Sequence, residues 1–567
     1  MRPSGSLFLA AAALAALAPS SCQAADKAPA PPAKPWVESF NKPLSGWSSH
    51  DRVRMRRVRT KGEVFLRASA TGGGGGRIEH ALPRTPWALS LDLALEPSTT
   101  VAIGLGGRRP ALRLSRSSNG GVRARRPGRA SVAVGTSANP PTRRWVHLQA
   151  YQGKRGVRIA IGGRRVRLGG PTGELLSISV RRGRLGLDNA IAAPAKSREA
   201  LLLHRLAALQ SRVPPSGSLV GADKRDRLHL RSRFWTRGFF AGSLWQAASL
   251  TQGSDLFAKW ALRRTAANFG DERANSHDMG FMYETTSVEA YRRLCRSTRR
   301  RAGRQCRRLR ASGLVAARQL VALARTNPGG ETIPTRLHTP SRQESDTIID
   351  SLMNLPLLHW ASRVTGDGSF RQVAARHARR VESLLVRRDG STAQSVHQNR
   401  QTGRVIHIHT HQGRSAGSTW SRGQGWAIYG LTTSAVELRD RKLLAAAERT
   451  AGWAADHLPR SGVPLYDYSA APNANIDTSA GVITAAGLFR LARACRDWSG
   501  ACAQPERWKP LAQRLLAANL RYVSTSLPLG FFGRQTAKVG GVAWDDQAEL
   551  VYGQYYALEA IGSNGGP

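Results

Sequence analysis

The sequence predicts two folds in series: an N-terminal all-β sandwich, jelly-roll or lectin-like, followed by an all-α (α/α)6 barrel. Three observations carry this. The apolar period is two from Trp36 to about Asn189, it becomes helical from about Ser197, and 567 residues are too many for one ordinary core. The chain then divides into a signal peptide over 1–24, a Pro/Ala linker over 25–35, a β-sandwich over 36–190 and the helical barrel over 197–562.

The first residues, "MRPSGSLFLAAAALAALAPSSCQAAD", set one Arg before an apolar run from Leu7 to Ala18, with small residues leading to Cys22-Gln23-Ala24. This is the plan of a Sec-type signal, too short and wrongly flanked for a membrane span, so an exported protein is expected, periplasmic or extracellular. Pro19-Ser20-Ser21 makes a poor lipobox and argues against a lipid anchor at Cys22. No later run is long enough to span a bilayer. Cys295 and Cys306 flank one short basic loop and Cys495 and Cys502 another, which suits two local disulfides in an oxidising compartment. Neither Cys-x-x-Cys nor His-Glu-x-x-His occurs, so no metal site is expected.

Strands are read from alternation. In "WALSLDLALE", Trp87, Leu89, Leu91, Leu93 and Leu95 alternate with Ala88, Ser90, Asp92 and Ala94, and "VRIAIGGRRVRLGG" and "LSISVRRGRLGLDN" repeat the pattern around Gly turns. "TGGGGGR" at 71–77 lacks the strand, helix and Lys of a phosphate loop and reads as a turn. Residues 36–189 hold 29 Lys/Arg against 8 Asp/Glu, a net +21, so an acidic polysaccharide is the ligand to expect at this domain if it is more than a spacer. The whole chain carries a formal +48. Arg is spread throughout instead of being gathered on a recognisable nucleic-acid module, and with the export signal this sets nucleic acid aside.

Twelve helices are predicted, near 197–212, 237–250, 254–268, 282–294, 303–325, 346–363, 367–385, 423–437, 440–457, 477–493, 505–524 and 545–560, with no strand alternation between them. Each must bury its apolar stripe on its neighbours, which six hairpins closed into a ring achieve. The words rich in Trp, His, Asp, Gln and Arg all precede even-numbered helices: "FWTRGFF", "NSHDMGFMYE", "ESDTIID", "HTHQGRSAGSTWSRGQGW", "YDYSAAPNANIDTSAG" and "FFGRQTAKVGGVAWDD". If the even helices are the inner ring, these loops share one mouth, where helix N-termini favour a carboxylate-bearing ligand. Each residue also has a plain structural reading. Asp350 and Asp278 could simply cap their helices, His277 beside Asp278 could be a surface pair, and Trp235, Trp420 and Trp426 could be core.

"HDMGFMY", "IIDSLMNLPLLHWAS", "HQGRSAGSTWSRGQGWAIYG", "DTSAGVITAAGL" and "YGQYYALEAI" resemble, in order and spacing, the unsaturated glucuronyl hydrolases, glycoside hydrolase family 88. The resemblance covers roughly residues 200–562 and not the β-rich region. It implies a substrate left by a polysaccharide lyase, an acidic oligosaccharide whose terminal uronate carries a C4=C5 double bond. It implies Asp350 as the acid and base that protonates C4 and activates water for C5, and Asp278 as its partner carboxylate. Burial against Leu352 and Met353 and the charge of Asp278 would each raise the pKa of Asp350. By the same resemblance Trp235 stacks the unsaturated sugar, His277 precedes the first Asp, Gln412 contacts substrate and water, and Arg422 and Trp426 belong to the pocket. Arg422 offers a planar fork suited to the uronate carboxylate. His411 and Trp420 lie in the same loop. No metal or organic cofactor is implied.

Three departures from the family pattern touch substrate preference. Asp389-Gly390-Ser391-Thr392 is followed by Ala393-Gln394 where a His is common, with His397 three residues later; "ETIPTRLH" offers Leu337 where a pocket Trp is usual; and "FGRQTAKVGG" lacks the serines that some relatives present to sulfated sugars. Two other classes remain open on the residues alone: an ordinary inverting glycosidase, which also needs two carboxylates, and a non-catalytic acidic-polysaccharide-binding protein.

Overall fold

Two antiparallel sheets, of eight and seven strands, account for residues between Trp36 and Pro194 in the computed structural model. The structure describes residues 36–564 apart from 39–46, 71–75, 106–110, 135–143, 169–174, 336–342, 541–545 and stretches of one to four residues elsewhere. The expected signal peptide and linker, Cys22, residues 71–75 of the glycine run and Leu337 lie outside the described residues; Gly76 and Arg77, the end of that run, open the strand Gly76–Ala81.

The strand Trp87–Leu95 explains how the β-rich region joins the rest. It pairs with Arg144–Gly153 on one side and Arg184–Pro194 on the other. Its odd residues, from Trp87 to Leu95, fill the core between the two sheets. On its other face Ala88 belongs to the helical core, Ser90 Oγ lies 2.8 Å from His204 Nδ1, and Gln149 Nε2 from the neighbouring strand donates to the His204 carbonyl at 3.2 Å. All nine residues are therefore buried. The helix beneath, Arg198–Arg212, is buried continuously from Ala200 to Leu209, because sheet and ring cover it from both sides. Residues Pro35–Pro567 form one compact unit.

All twelve expected helices are present among the described residues. The first is followed by Phe239–Leu250, Leu256–Ala266, a fourth that runs Met279–Tyr283, through a π-helical turn at Glu284–Val288, into Glu289–Leu294, then Arg304–Arg325 and Leu355–Thr365. The remainder are Gly368–Leu385, Ser421–Leu438, Arg441–His457, Thr478–Asp497, Trp508–Leu520 and Val551–Asn564. Burial separates two rings. Gly368–Leu385, the seventh, buries Phe370, Val373, Ala374, His377, Ala378, Val381 and Leu385, one stripe at helical spacing. Ser421–Leu438, the eighth, buries nearly every residue and so stands on the inside.

Two expectations are corrected. Strands do occur among the helices: Ser218–Ala222, Leu228–Arg231 and Glu549–Leu550 form one three-stranded sheet, and Glu344–Ile348, Ser395–Asn399 and Val405–His409 another. The sixth helix does not begin at 346. Its first residues belong to Glu344–Ile348, paired with Ser395–Asn399, and a 3-10 turn at Ile349–Asn354 precedes Leu355–Thr365. Each sheet adds one strand distant in sequence, Glu549–Leu550 or Glu344–Ile348, to a short local hairpin, and strands of two to five residues are too short for local periodicity to mark them. The two expected disulfides, Cys295–Cys306 and Cys495–Cys502, are formed. Among the described residues no helix is long and apolar enough to cross a membrane.

Candidate active site

The loops that lead into the inner helices converge on a cavity of about 290 Å³. All nine residues singled out in the sequence line it: Trp235, His277, Asp278, Asp350, His411, Gln412, Trp420, Arg422 and Trp426.

Asp350 lies in the 3-10 turn, where it caps nothing: the residue at the cap position is Ile348, and no side chain there bonds the backbone. Its Oδ1 is buried without a hydrogen-bond partner among the described residues. Burial pushes its pKa up to about 7; its own backbone amide and the Arg422 charge oppose the rise, and the charge of Asp278 adds to it. Asp278 stands at the cap position of the fourth helix but makes no capping bond. It sits 3.3 Å from His277 Nε2 and 3.4 Å from Ser276 Oγ. Burial raises its pKa too, against the pull of His277 and Ser276. His277 is itself buried, which disposes of the surface-pair reading.

The two aspartate-bearing segments are held together about one turn further in. Phe281 N donates to Asn354 Oδ1 at 3.0 Å, and a Cβ at Gly280 would stand 2.2 Å from Asn354 Cα. Only a glycine lets the backbones approach this closely. Ser351 Oγ, 2.9 Å from His377 Nε2, ties the turn to the seventh helix, and His377 Nδ1 accepts from Ile333 N at 2.9 Å.

The aromatic residues divide. Trp235 is half-buried, stacked on Tyr552 with ring centroids 5.1 Å apart and edge-on to Phe239, so it keeps a face toward the cavity. Trp426 and Trp420 are buried and build the wall, Trp426 against Phe281 and Tyr556 and Trp420 beneath the Arg422 guanidinium. Arg422 is also largely committed. Its Nη1 donates to Asp477 Oδ2 at 2.9 Å and to the Thr536 carbonyl at 2.8 Å, and its Nη2 donates to the Ala537 carbonyl at 2.9 Å. The guanidinium thus fixes the loop before the twelfth helix, which leaves little of its fork for a substrate carboxylate. Gln412 has both ends of its amide engaged, accepting from Gln394 Nε2 at 2.9 Å and donating to the Ala537 carbonyl at 2.8 Å.

Sequence reasoning missed Gln394 as a cavity residue. Its Oε1 accepts from Thr410 Oγ1, His411 N and Gln412 N at 2.6, 2.8 and 3.0 Å, and so folds the loop that carries His411 and Gln412. The signal was at hand in its position after Asp389-Gly390-Ser391-Thr392. Tyr552, in "YGQYY", and Lys538, in "QTAKVGG", also line the cavity and were not singled out.

Residues 212–442 match the model of Glycosyl Hydrolase Family 88. The chain is 32% identical over 355 residues, 58% of its own length and 85% of the relative's, to the unsaturated glucuronyl hydrolase of Bacillus sp. (strain GL1). The chain belongs to glycosyl hydrolase family 88. This member is accordingly a glycoside hydrolase, and its helical part is the (α/α)6 barrel of that family. It is also 26% identical to the unsaturated chondroitin disaccharide hydrolase of Streptococcus agalactiae serotype III, over 58% of this chain and 80% of that one. The solved structure of the Bacillus sp. GL1 enzyme, described as responsible for the degradation of glycosaminoglycan, superposes with a TM-score of 0.57 at 27% identity, covering 65% of this chain and 96% of that one. The β-rich region of this family 88 chain precedes the matched residues.

Proposed function

We propose that this family 88 enzyme removes the terminal 4,5-unsaturated uronate from acidic oligosaccharides produced by polysaccharide lyases, glycosaminoglycan fragments foremost. The observation that carries the reading is Asp350, a carboxyl lining the cavity and raised to about 7 by burial, with one buried oxygen that has no hydrogen-bond partner among the described residues. In its protonated form it donates a proton to C4 of the vinyl ether, and positive charge develops at C5 next to the ring oxygen. The carboxylate so formed takes a proton from water as the water oxygen bonds to C5. C5 then carries a hydroxyl and the ring oxygen, a hemiketal. Opening it to the C5 ketone leaves C1 a hemiacetal, whose collapse to the aldehyde releases the remaining glycan as an alcohol. Asp278, with His277 beside it, holds a sugar hydroxyl and keeps the local charge negative, and Trp235 stacks the sugar ring.

The test is absorbance. Incubated with lyase digests of chondroitin, hyaluronan or heparin, the enzyme should abolish the ultraviolet band of the conjugated enoate. Release of glycan with that band intact would mean ordinary glycosidic cleavage instead. Binding without turnover would mean a glycan adhesin.

Two further assignments belong to this reading. The two-sheet region is a lectin-like accessory that holds acidic polysaccharide by its net +21. The protein works outside the cytoplasm, in keeping with its two disulfides.

A further inference from the structure

Beside the cavity lies a cluster of histidines and carboxylates to which nothing above gives a task. The strand Val405–His409 and the residues after it carry His407, His409 and His411 at alternate positions. The paired strands bring His397 and Asp346 against them. His409 Nε2 and His397 Nδ1 stand 2.9 and 2.8 Å from the same oxygen, Asp346 Oδ1. His397 Nε2 stands 3.1 Å from Glu344 Oε2. The rings of His409 and His411 meet edge to face with centroids 4.7 Å apart. One ligand atom each of Asp346, His409 and His411 falls within 4.8 Å of the others.

Asp346 is completely buried, and its second oxygen, Oδ2, has no hydrogen-bond partner among the described residues. A carboxylate oxygen left in this condition is costly unless something answers its charge. We propose that Asp346, His409 and His411 bind a divalent transition ion, Zn2+ in the first instance, at the rim of the substrate cavity. Two imidazoles and one carboxylate with a fourth position left for water suit zinc, and the same donors accept other borderline cations of that series. His397, held between Asp346 and Glu344, orients the carboxylate in the way outer partners of metal ligands do. With bonds of about 2 Å the ligand atoms of a tetrahedral site lie about 3.4 Å apart; the three donors, all within 4.8 Å of one another, reach this by side-chain shifts of about 1 Å, and His409 Nε2 exchanges its 2.9 Å contact with Asp346 Oδ1 for the ion. His411 lines the cavity, so the ion and the substrate share one wall. The hydration chemistry needs no metal, and the ion's effect is on the shape of the entrance.

The experiment uses the full chain, stripped with a chelator and dialysed against Zn2+, with bound metal measured directly. About one ion per chain is expected, with at least tenfold weaker binding in His409→Ala and in Asp346→Asn. His407→Ala is the control, because His407 is exposed and is not a ligand; its affinity should equal that of the parent. Co2+ in place of Zn2+ should show the intense visible bands of a four- or five-coordinate ion, lost in His409→Ala. Metal-free His409→Ala should still unfold in one cooperative transition, at a somewhat lower temperature than the metal-free parent because Asp346 loses a partner, and added Zn2+ should raise the melting temperature of the parent alone, which separates a lost ligand from a lost fold. Failure to retain Zn2+, unchanged affinity in His409→Ala, or loss confined to His407→Ala would each overturn the assignment. All of these readouts are independent of whether the enoate is hydrated.

Discussion

Two loops at the same end of the helical ring each bring a buried aspartate to the head of an inner helix, and the two are treated in opposite ways. Asp477, before the tenth helix, is saturated. It caps Ser479 N at 3.0 Å, accepts from Thr536 N at 3.2 Å and is paired with Arg422 at 2.9 Å. Asp350, before the sixth, keeps an oxygen without a partner among the described residues and is pushed up to about 7. A buried carboxylate with every lone pair answered is architecture, and one left wanting is available for proton transfer. The first also serves the second, because Asp477 holds Arg422, and Arg422 holds the carbonyls of Thr536 and Ala537 at the cavity wall.

The strongest way to break this comparison is Asp350→Asn. Turnover measured by loss of enoate absorbance should fall about 10³-fold or more, while the melting temperature holds or rises. The sign of the stability change follows from the raised pKa. Between the ordinary value of 3.8 and about 7 the folded state binds a proton that the unfolded state has lost, so stability falls as pH rises through that window. Asn removes this loss, and the variant should gain on the parent from pH 4 to 7 in denaturant titrations. Equal pH dependence of the two proteins would place the raised carboxyl elsewhere.

Asp477→Ala should do the reverse, costing about 3 kcal/mol of stability by stranding the Arg422 charge, with a clear drop in denaturant midpoint. Gly280→Ala tests the clamp between the two aspartate segments. Forcing Asn354 away should cost about 1–3 kcal/mol and lower kcat in protein that still folds. A milder change sharpens the electrostatics. The parent should lose kcat as pH rises through about 7, and Asp278→Asn, which removes a charge that raises Asp350, should move that midpoint downward in whatever activity remains. The smallest effect is expected at the β-rich region, whose attraction for heparin should weaken as NaCl is raised from 0.05 to about 0.5 M, following the shortening Debye length.

The sequence by itself determined what repeats with a local period and what is carried by a word. The alternation of Trp87 to Leu95 marked a strand, the helical period over 367–385 marked a helix, and the polar words before even helices pointed to a common mouth. The tertiary structure alone decided how the donors and acceptors there are spent. Arg422 and Gln412 look free in a string of letters and are engaged in the fold. Gln394 looks like a missing His and is the pivot of its loop. The strand Glu344–Ile348 hid at the start of an expected helix because its partners lie some fifty residues later. That Trp87–Leu95 is covered on both faces depends on the helix Arg198–Arg212, more than a hundred residues away. Periodicity reports the face a residue presents; hydrogen-bond partners and desolvation belong to groups distant in the chain, and only folding brings them together.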